Sequence, residues 1–195
     1  MVKEGNRFVR PGVIEGFAGP MMSGKTGRLL KRVDPLRWMK GKYLYTGFRP
    51  KMDRRDFNCR SSEDFINWNY IENPEEILAI SGSYDLVAID EIQFFKKNIV
   101  NVVLKLQKEG KNVIFAGLDL DFKRDSFGAM PELITMANEF EKLHSICTEC
   151  GEPAYYTQRL IRGKPAPYDS DIVSIEGESE YEARCLRHHI VPGKN

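Results

Sequence analysis

Along the first 120 residues, apolar and polar positions alternate between two periods. Residues 12–17 (GVIEGF), 43–46 (YLYT), 85–90 (DLVAID) and 112–117 (NVIFAG) are short runs, mostly apolar and of strand length. Between them lie segments with helical spacing. Residues 26–40 carry Leu29 and Leu30. Residues 73–81 open with Asn73 as N-cap and Pro74 at the first helical position. Residues 97–110 form an amphipathic stretch that stops at Gly110. A strand with no polar face needs cover on both sides, and strands separated by helices run parallel. The pattern therefore predicts an α/β fold, a mostly parallel sheet flanked by helices.

After residue 120 the rhythm changes. Residues 121–129 form a loop rich in charge and glycine, and residues 131–141 are predicted helical. Then come a Cys-x-x-Cys pair, the aromatic segment AYYTQR, a stretch rich in Gly, Pro and Asp, and finally YEARCLRHH. These features divide the chain near residue 140 into a main domain, 1–140, and a smaller unit, 141–195. A chain of 195 residues can bury roughly 70% of its unfolded surface, but the small unit is too short for a robust core and needs a staple.

Composition narrows the function classes. There are 29 basic and 28 acidic side chains, a formal net charge of +1. Such a balance offers no long-range attraction to nucleic acid or to a membrane surface. No apolar run approaches the ~18 residues of a membrane span, and the N-terminal MVKEGNRFVR lacks the apolar stretch of a secretory signal. A cytoplasmic protein is expected.

One stretch carries specific chemistry. GPMMSGKT places Gly19, Gly24, Lys25 and Thr26 in the pattern G-x-x-x-x-G-K-[ST], with Pro20, Met21, Met22 and Ser23 between the glycines. Glycines let successive backbone N–H groups point at a phosphate with no Cβ in the way. The lysine reaches the β- and γ-phosphates, and the threonine hydroxyl is a Mg²⁺ ligand. A strand before the loop and a helix after it aim a helix N-terminus at the same anion. The fold is thus of the phosphate-loop NTPase kind, and the loop predicts a bound nucleoside triphosphate.

A second site element closes the strand LVAID. Carboxyl ends of parallel strands face the ligand crevice, so Asp90 and Glu91 are expected near the phosphates. Asp90 suits Mg²⁺. Glu91 is then free to take a proton from an attacking hydroxyl or water; its bland alternative is a solvated residue at a helix start. The continuation DEIQFF sets a glutamine and two phenylalanines beside the acids, the makings of a site that stacks a flat base. Taken singly, Phe94 and Phe95 read more readily as core.

Four cysteines occur, three of them late in the chain. Cys147-x-x-Cys150 and Cys185-x-x-His188 together supply four N/S ligands, the number a closed structural Zn²⁺ site takes. A redox pair or plain buried thiols would not explain the second knuckle in a unit lacking core. His189 is the adjacent alternative to His188 and ranks below it, because the two-residue spacing repeats that of the first knuckle. Cys59, in FNCRSS, is expected to be a free thiol.

GPMMSGKT, DEIQFF, GLDLDFKRDSFG, a CxxC and a final CxxH, in this order from Gly12 to His188, resemble the thymidine kinase family shared by bacteria, viruses and the animal cytosol. The resemblance implies an ATP-dependent kinase. It would transfer the γ-phosphate to the 5′-hydroxyl of thymidine, or of deoxyuridine, in the salvage of deoxynucleotides for DNA synthesis. It implies that Glu91 is the catalytic base, with Mg²⁺ as cofactor and a structural Zn²⁺. KMDRRD resembles the family's D-x-R motif and would place Asp53 and Arg55 near the metal and phosphates; the bland alternative is a charged loop. Phe94 matches the aromatic that packs on thymine, and Leu118, Phe122 and Phe127 match the pocket wall. Residues 172–181 (IVSIEGESEY) match a "lasso" that covers the nucleoside, with Ile172, Val173, Ser174 and Ile175 in the covering segment and Tyr181 at the family's tyrosine. Glu176 stands where the family has a first glycine, and Gly177 keeps the second. Feedback inhibition by thymidine triphosphate and a homotetramer, or a dimer, are also implied.

Two other function classes compete. In one, the chain is an ATPase or a zinc-bearing nucleic-acid partner, which the near-zero charge disfavours. In the other it is a non-catalytic nucleotide-binding regulator, against which the intact Lys25, Asp90 and Glu91 speak.

Overall fold

A computed structural model describes residues 9–51, 65–173 and 179–194. Six strands build the main sheet: β1 (Ile14–Ala18), β2 (Tyr45–Pro50), β3 (Trp68–Ile71), β4 (Leu86–Ile89), β5 (Asn112–Gly117) and β6 (Glu139–Lys142). Their order is β3-β2-β4-β5-β1-β6, and every pairing is parallel. The α/β class expected from the pattern is what the chain forms.

Period-two alternation explains how a uniformly apolar strand serves two faces. From β4 and β5, Val87, Ile89, Val113 and Phe115 enter one core, which α3 (Ile99–Lys108) and α4 (Met130–Met136) cover. Leu86, Ala88, Ile114 and Ala116 enter the other core, under α1 (Lys25–Val33). Helix α3 buries Ile99, Val102, Val103 and Leu106, the i, i+3, i+4, i+7 stripe. Gly110 follows the helix at φ +79°, a left-handed stop.

Several elements differ from expectation. The helix predicted over 26–40 ends at Val33 and continues as a 3₁₀ turn, Asp34–Trp38. Pro35 has no N–H to give and its ring crowds the preceding turn. The predicted helix over 73–81 is regular only in α2 (Glu76–Ile80). Its first turn is held by three-residue bonds, and Glu76 Oε1 accepts the Asn73 N–H at 2.8 Å, half of a capping box. The predicted helix over 131–141 is α4 followed by strand β6. Asn138 makes the change by exchanging hydrogen bonds with Ile14, its N–H to Ile14 O and its Oδ1 to Ile14 N–H. This locks the chain alongside β1. Strand β3 had no counterpart in the sequence pattern; it is a four-residue edge strand with Asn69 and an exposed Tyr70.

Beyond Lys142 lie a two-stranded ribbon, β7 (Ser145–Ile146) with β8 (Pro153–Ala154), and an antiparallel sheet. In that sheet β9 (Tyr156–Ile161) lies between β10 (Lys164–Pro165) and β11 (Ser179–Arg184). No helix among the described residues is long and apolar enough to cross a membrane.

Gly16 and Phe115 are direct partners across β1 and β5, and the Phe115 ring folds over the glycine. A Cβ at Gly16 would lie 2.4 Å from that ring, which is fully buried and has nowhere to go. Gly16→Ala is therefore expected to cost about 1–3 kcal/mol as overpacking in urea unfolding. Gly82→Ala, where an added methyl meets nothing within 4 Å, should leave the midpoint unchanged.

Candidate functional site

Strand β1 runs into the glycine loop, and α1 starts at Lys25. Left-handed turns at Met22 (φ +62°) and Gly24 (φ +79°) curl the loop. A Cβ at Gly19 would lie 2.4 Å from Leu143 O, so only glycine passes beneath the chain there. Ser23 Oγ and the buried Lys25 Nζ both donate to Pro20 O, at 2.8 and 2.7 Å. Burial pushes the lysine pKa down, opposed by the charges of Glu91, Asp90 and Asp119. Met21 N–H donates to Thr157 Oγ1 of β9 at 3.0 Å, tying the loop to the antiparallel sheet.

Asp90 directly succeeds β4 and is buried. It accepts from Thr26 Oγ1 at 3.0 and 3.1 Å, and from Arg49 Nη2 and Nε at 2.9 and 3.1 Å. The Arg49 guanidinium, from β2, also lies 3.9 Å from the centre of the Trp68 ring. Glu91 takes a left-handed conformation, φ +54° and ψ +36°, which turns its side chain away from Asp90's partners into a cavity. Burial, then the neighbouring Asp90 charge, raise the Glu91 pKa; Lys25, a Gln93 hydrogen bond and Arg49 act the other way.

That cavity, of about 280 Å³, joins Lys25, Thr26 and Glu91 to an apolar box. The box walls are Phe94, Leu118, Phe122 and Phe127, with Ile172, Val173 and Tyr181 closing it. Phe94 and Phe127 meet edge to face, with centroids 5.3 Å apart and planes at 82°. The structure thus brings together the described residues that the sequence assigns to one nucleoside site. Asp53, Arg55, Ser174 and Ile175 lie outside the described residues, as do Cys59, Glu176 and Gly177. Within DEIQFF the jobs divide. Phe94 faces the cavity, whereas Phe95 is part of the core and Gln93 lies behind Glu91.

Sequence reasoning missed four contributors. Asp121 and Thr157 line the cavity; Arg49 is Asp90's partner; Arg159 bonds Asp171 and Ser179. From the middle of β9, Arg159 donates to Asp171 O and, at 3.1 Å, to Ser179 Oγ. It therefore grips the chain on both sides of residues 172–178. Asp121 lies within GLDLDFKRDSFG, where the resemblance singled out only Leu118, Phe122 and Phe127; AYYTQR, which holds Thr157 and Arg159, signalled only an aromatic segment.

The ligand atoms of Cys147, Cys150, Cys185 and His188 all lie within 4.8 Å of one another. Cys150 and Cys185 sulfurs are 3.7 Å apart, and His188 Nδ1 is 3.4 and 3.6 Å from Cys185 and Cys147 Sγ. A tetrahedral ion with Zn–S bonds near 2.3 Å needs ligand–ligand edges of about 3.7 Å. The cluster could hold a metal such as zinc. His189 points elsewhere: burial pushes its pKa down, and its Nε2 bonds Thr157 O at 3.1 Å.

An all-parallel sheet with a glycine loop after β1, and acids at the end of β4, defines a nucleotide-binding protein of the phosphate-loop class. Residues 12–189 match the family description "Thymidine kinase". The thymidine kinase of Coprothermobacter proteolyticus is 43% identical over 190 residues, covering 96% of this chain and 95% of that protein. The thymidine kinase of Thermococcus kodakarensis is 38% identical over 190 residues, 93% and 95% of the two chains. This chain belongs to the thymidine kinase family. Among solved structures, the flagellar accessory protein FlaH of Methanocaldococcus jannaschii shows 10% identity and a TM-score of 0.48, over 74% of this chain and 76% of that one.

The cluster geometry predicts how metal content responds to substitution. His188→Ala, or Cys147→Ser, should purify with the bound metal lost and a lower melting temperature. His189→Ala should keep its metal. Elemental analysis of the purified variants reads both.

Proposed function

We propose that the protein transfers the γ-phosphate of ATP to the 5′-hydroxyl of thymidine, giving the monophosphate for deoxynucleotide salvage. The observation that carries this reading is the shared cavity. Its lining joins Lys25 and Thr26, suited to a triphosphate, an aromatic box suited to a flat base, and the Glu91 carboxylate. A hydrolase would need no such box. Deoxyuridine fits the same chemistry, because one methyl in an apolar pocket discriminates by only ~1–3 kcal/mol.

In this reading residues 19–24 cradle the phosphates with backbone N–H groups, and Lys25 neutralises charge at the β- and γ-positions. Thr26 and Asp90 would hold Mg²⁺, with Asp53 and Arg55 beside it; bound there, the ion offsets phosphate charge. Glu91 accepts the proton of the 5′-hydroxyl as that oxygen attacks in line. Phe94, Phe122 and Phe127 seat the base, with Leu118 at its edge. Residues 172–175 and Tyr181 cover it and exclude water, which protects the phosphate from hydrolysis. Residues 141–195 form the second unit, in which Zn²⁺ on Cys147, Cys150, Cys185 and His188 pins the base of the cover.

The proposal extends to a cytoplasmic homotetramer or dimer, inhibited by thymidine triphosphate and engaging neither nucleic acid nor membrane. Its net charge of +1 supports the last point.

The test is conversion of thymidine to its monophosphate with ATP and Mg²⁺. Glu91→Gln is expected to lower kcat by about 10²–10⁴-fold, the usual worth of a general base, while ATP binding stays intact. A base must be ionised to act and burial raises this one, so wild-type kcat should climb with pH through a value above the ordinary ~4.3 of glutamate. ADP formed without nucleotide product would make the protein an ATPase and empty the aromatic box of its role.

A further inference from the structure

Gln93 is almost completely buried, at 2% exposure, and does not line the cavity. Both ends of its amide are nevertheless engaged with groups that do. Its Nε2 donates to Glu91 Oε2 at 2.7 Å, and its Oε1 accepts the Leu118 backbone N–H at 3.0 Å. The amide can point only one way. Leu118 N–H is a donor alone, so the oxygen must face it and the NH₂ must face the carboxylate.

The surroundings are shaped for this bridge. A Cβ at Gly117 would fall 2.4 Å from Gln93 Oε1, and one at Gly128 would fall 2.5 Å from Gln93 O. Gly128 also sits at φ +56°, which favours glycine. Two glycines therefore clear room for Gln93, one against its side chain and one against its backbone. Helical propensity does not explain the residue, since residues 92–94 make only a single 3₁₀ turn. Nor does packing, since a methionine would fill the same space.

We propose that Gln93 is a positioning residue: its amide bridges the Glu91 carboxylate to the Leu118 main chain, fixing the proton acceptor relative to the wall that seats the base. The proposal rests on the reading of Glu91 as the base. A carboxylate free to rotate would meet the hydroxyl in a fraction of encounters only; held by the Gln93 amide, it keeps one orientation relative to the Leu118 wall.

The experiment is a double-mutant cycle: kcat of wild type, Gln93→Met, Glu91→Gln and the double variant, with nucleotide affinity measured separately by ATP titration. The expected result is a loss of about 10²-fold in kcat for Gln93→Met, the cost of a small misplacement of a reacting group, and no further loss when Glu91 is already Gln. ATP affinity should be unchanged. An unchanged kcat, or an equal loss in both backgrounds, overturns the proposal. If Gln93→Met does not fold, Gln93→Asn carries the same cycle, since an amide one methylene shorter cannot span both partners. Glu91→Gln alone separates the two readings. An active Glu91→Gln overturns the base itself, whereas an inactive one beside an equal Gln93→Met loss in both backgrounds overturns only the bridge.

Discussion

A carboxylate withdrawn from water must recover its lost hydration from fixed partners, or the fold cannot hold it ionised. Asp90 is 2% exposed and sits at the end of a central strand. Its partners come from two other parts of the sheet's crevice edge: the Thr26 hydroxyl at the start of α1 and the Arg49 guanidinium from β2. Satisfying this one charge therefore fixes the loop after β1, the end of β2 and the end of β4 relative to one another. Trp68 extends the constraint to the edge strand β3 by lying against the guanidinium. A strand order that sets β2 beside β4, and β5 between β4 and β1, makes the convergence possible. All-parallel pairing puts every carboxyl end on the same edge.

The conformation of Glu91 depends on that anchor. With Asp90 committed to its partners, Glu91 takes a left-handed turn and sends its carboxylate into the cavity instead. The opposite wall is braced with comparable care. Asp121 Oδ1 accepts the N–H groups of Lys123 and Asp125, closing the loop that carries Phe122 and Phe127. Tyr168 and Lys194 then hold Asp125 from outside, at 3.3 and 2.7 Å. An apolar box built on a loop keeps its shape only if polar groups elsewhere in that loop are satisfied.

How much of this could be read from the sequence differs by the range of the interaction. The fold class was legible because burial on both faces leaves a local trace, apolar runs of strand length separated by helical spacing. The glycine loop between β1 and α1 was legible for the same reason: Gly19, Gly24, Lys25 and Thr26 lie within eight consecutive residues. The cysteine–histidine cluster showed as two matched knuckles. Strand β6 was misread because an edge strand has few buried positions, and EFEK looks like the wet face of a helix; only the long-range exchange of Asn138 with Ile14 decides it. Arg49, Thr157 and Arg159 escaped because each works across the sheet or between sheets, on partners far away in sequence. Gln93 was seen as one member of DEIQFF but assigned with the base-stacking residues, since nothing in a linear string shows which way an amide faces.

The cluster of Cys147, Cys150, Cys185 and His188 is tied to the glycine loop through contacts outside residues 172–178. His189 directly follows His188; burial pushes its pKa down, and its Nε2 bonds Thr157 O at 3.1 Å. The same threonine uses its hydroxyl oxygen to hold the Met21 N–H of the phosphate loop. Thr157 thus stands between the knuckle and the loop, one polar group toward each. Its strand is meanwhile paired with β11, which carries Tyr181 and leads into Cys185. Ordering the cluster therefore sets three things together: the path of β11, the seat of Thr157 and the backbone of Met21. A small unit without much core would gain rigidity from a metal on those four groups, and would hand part of it to a glycine loop that has little of its own.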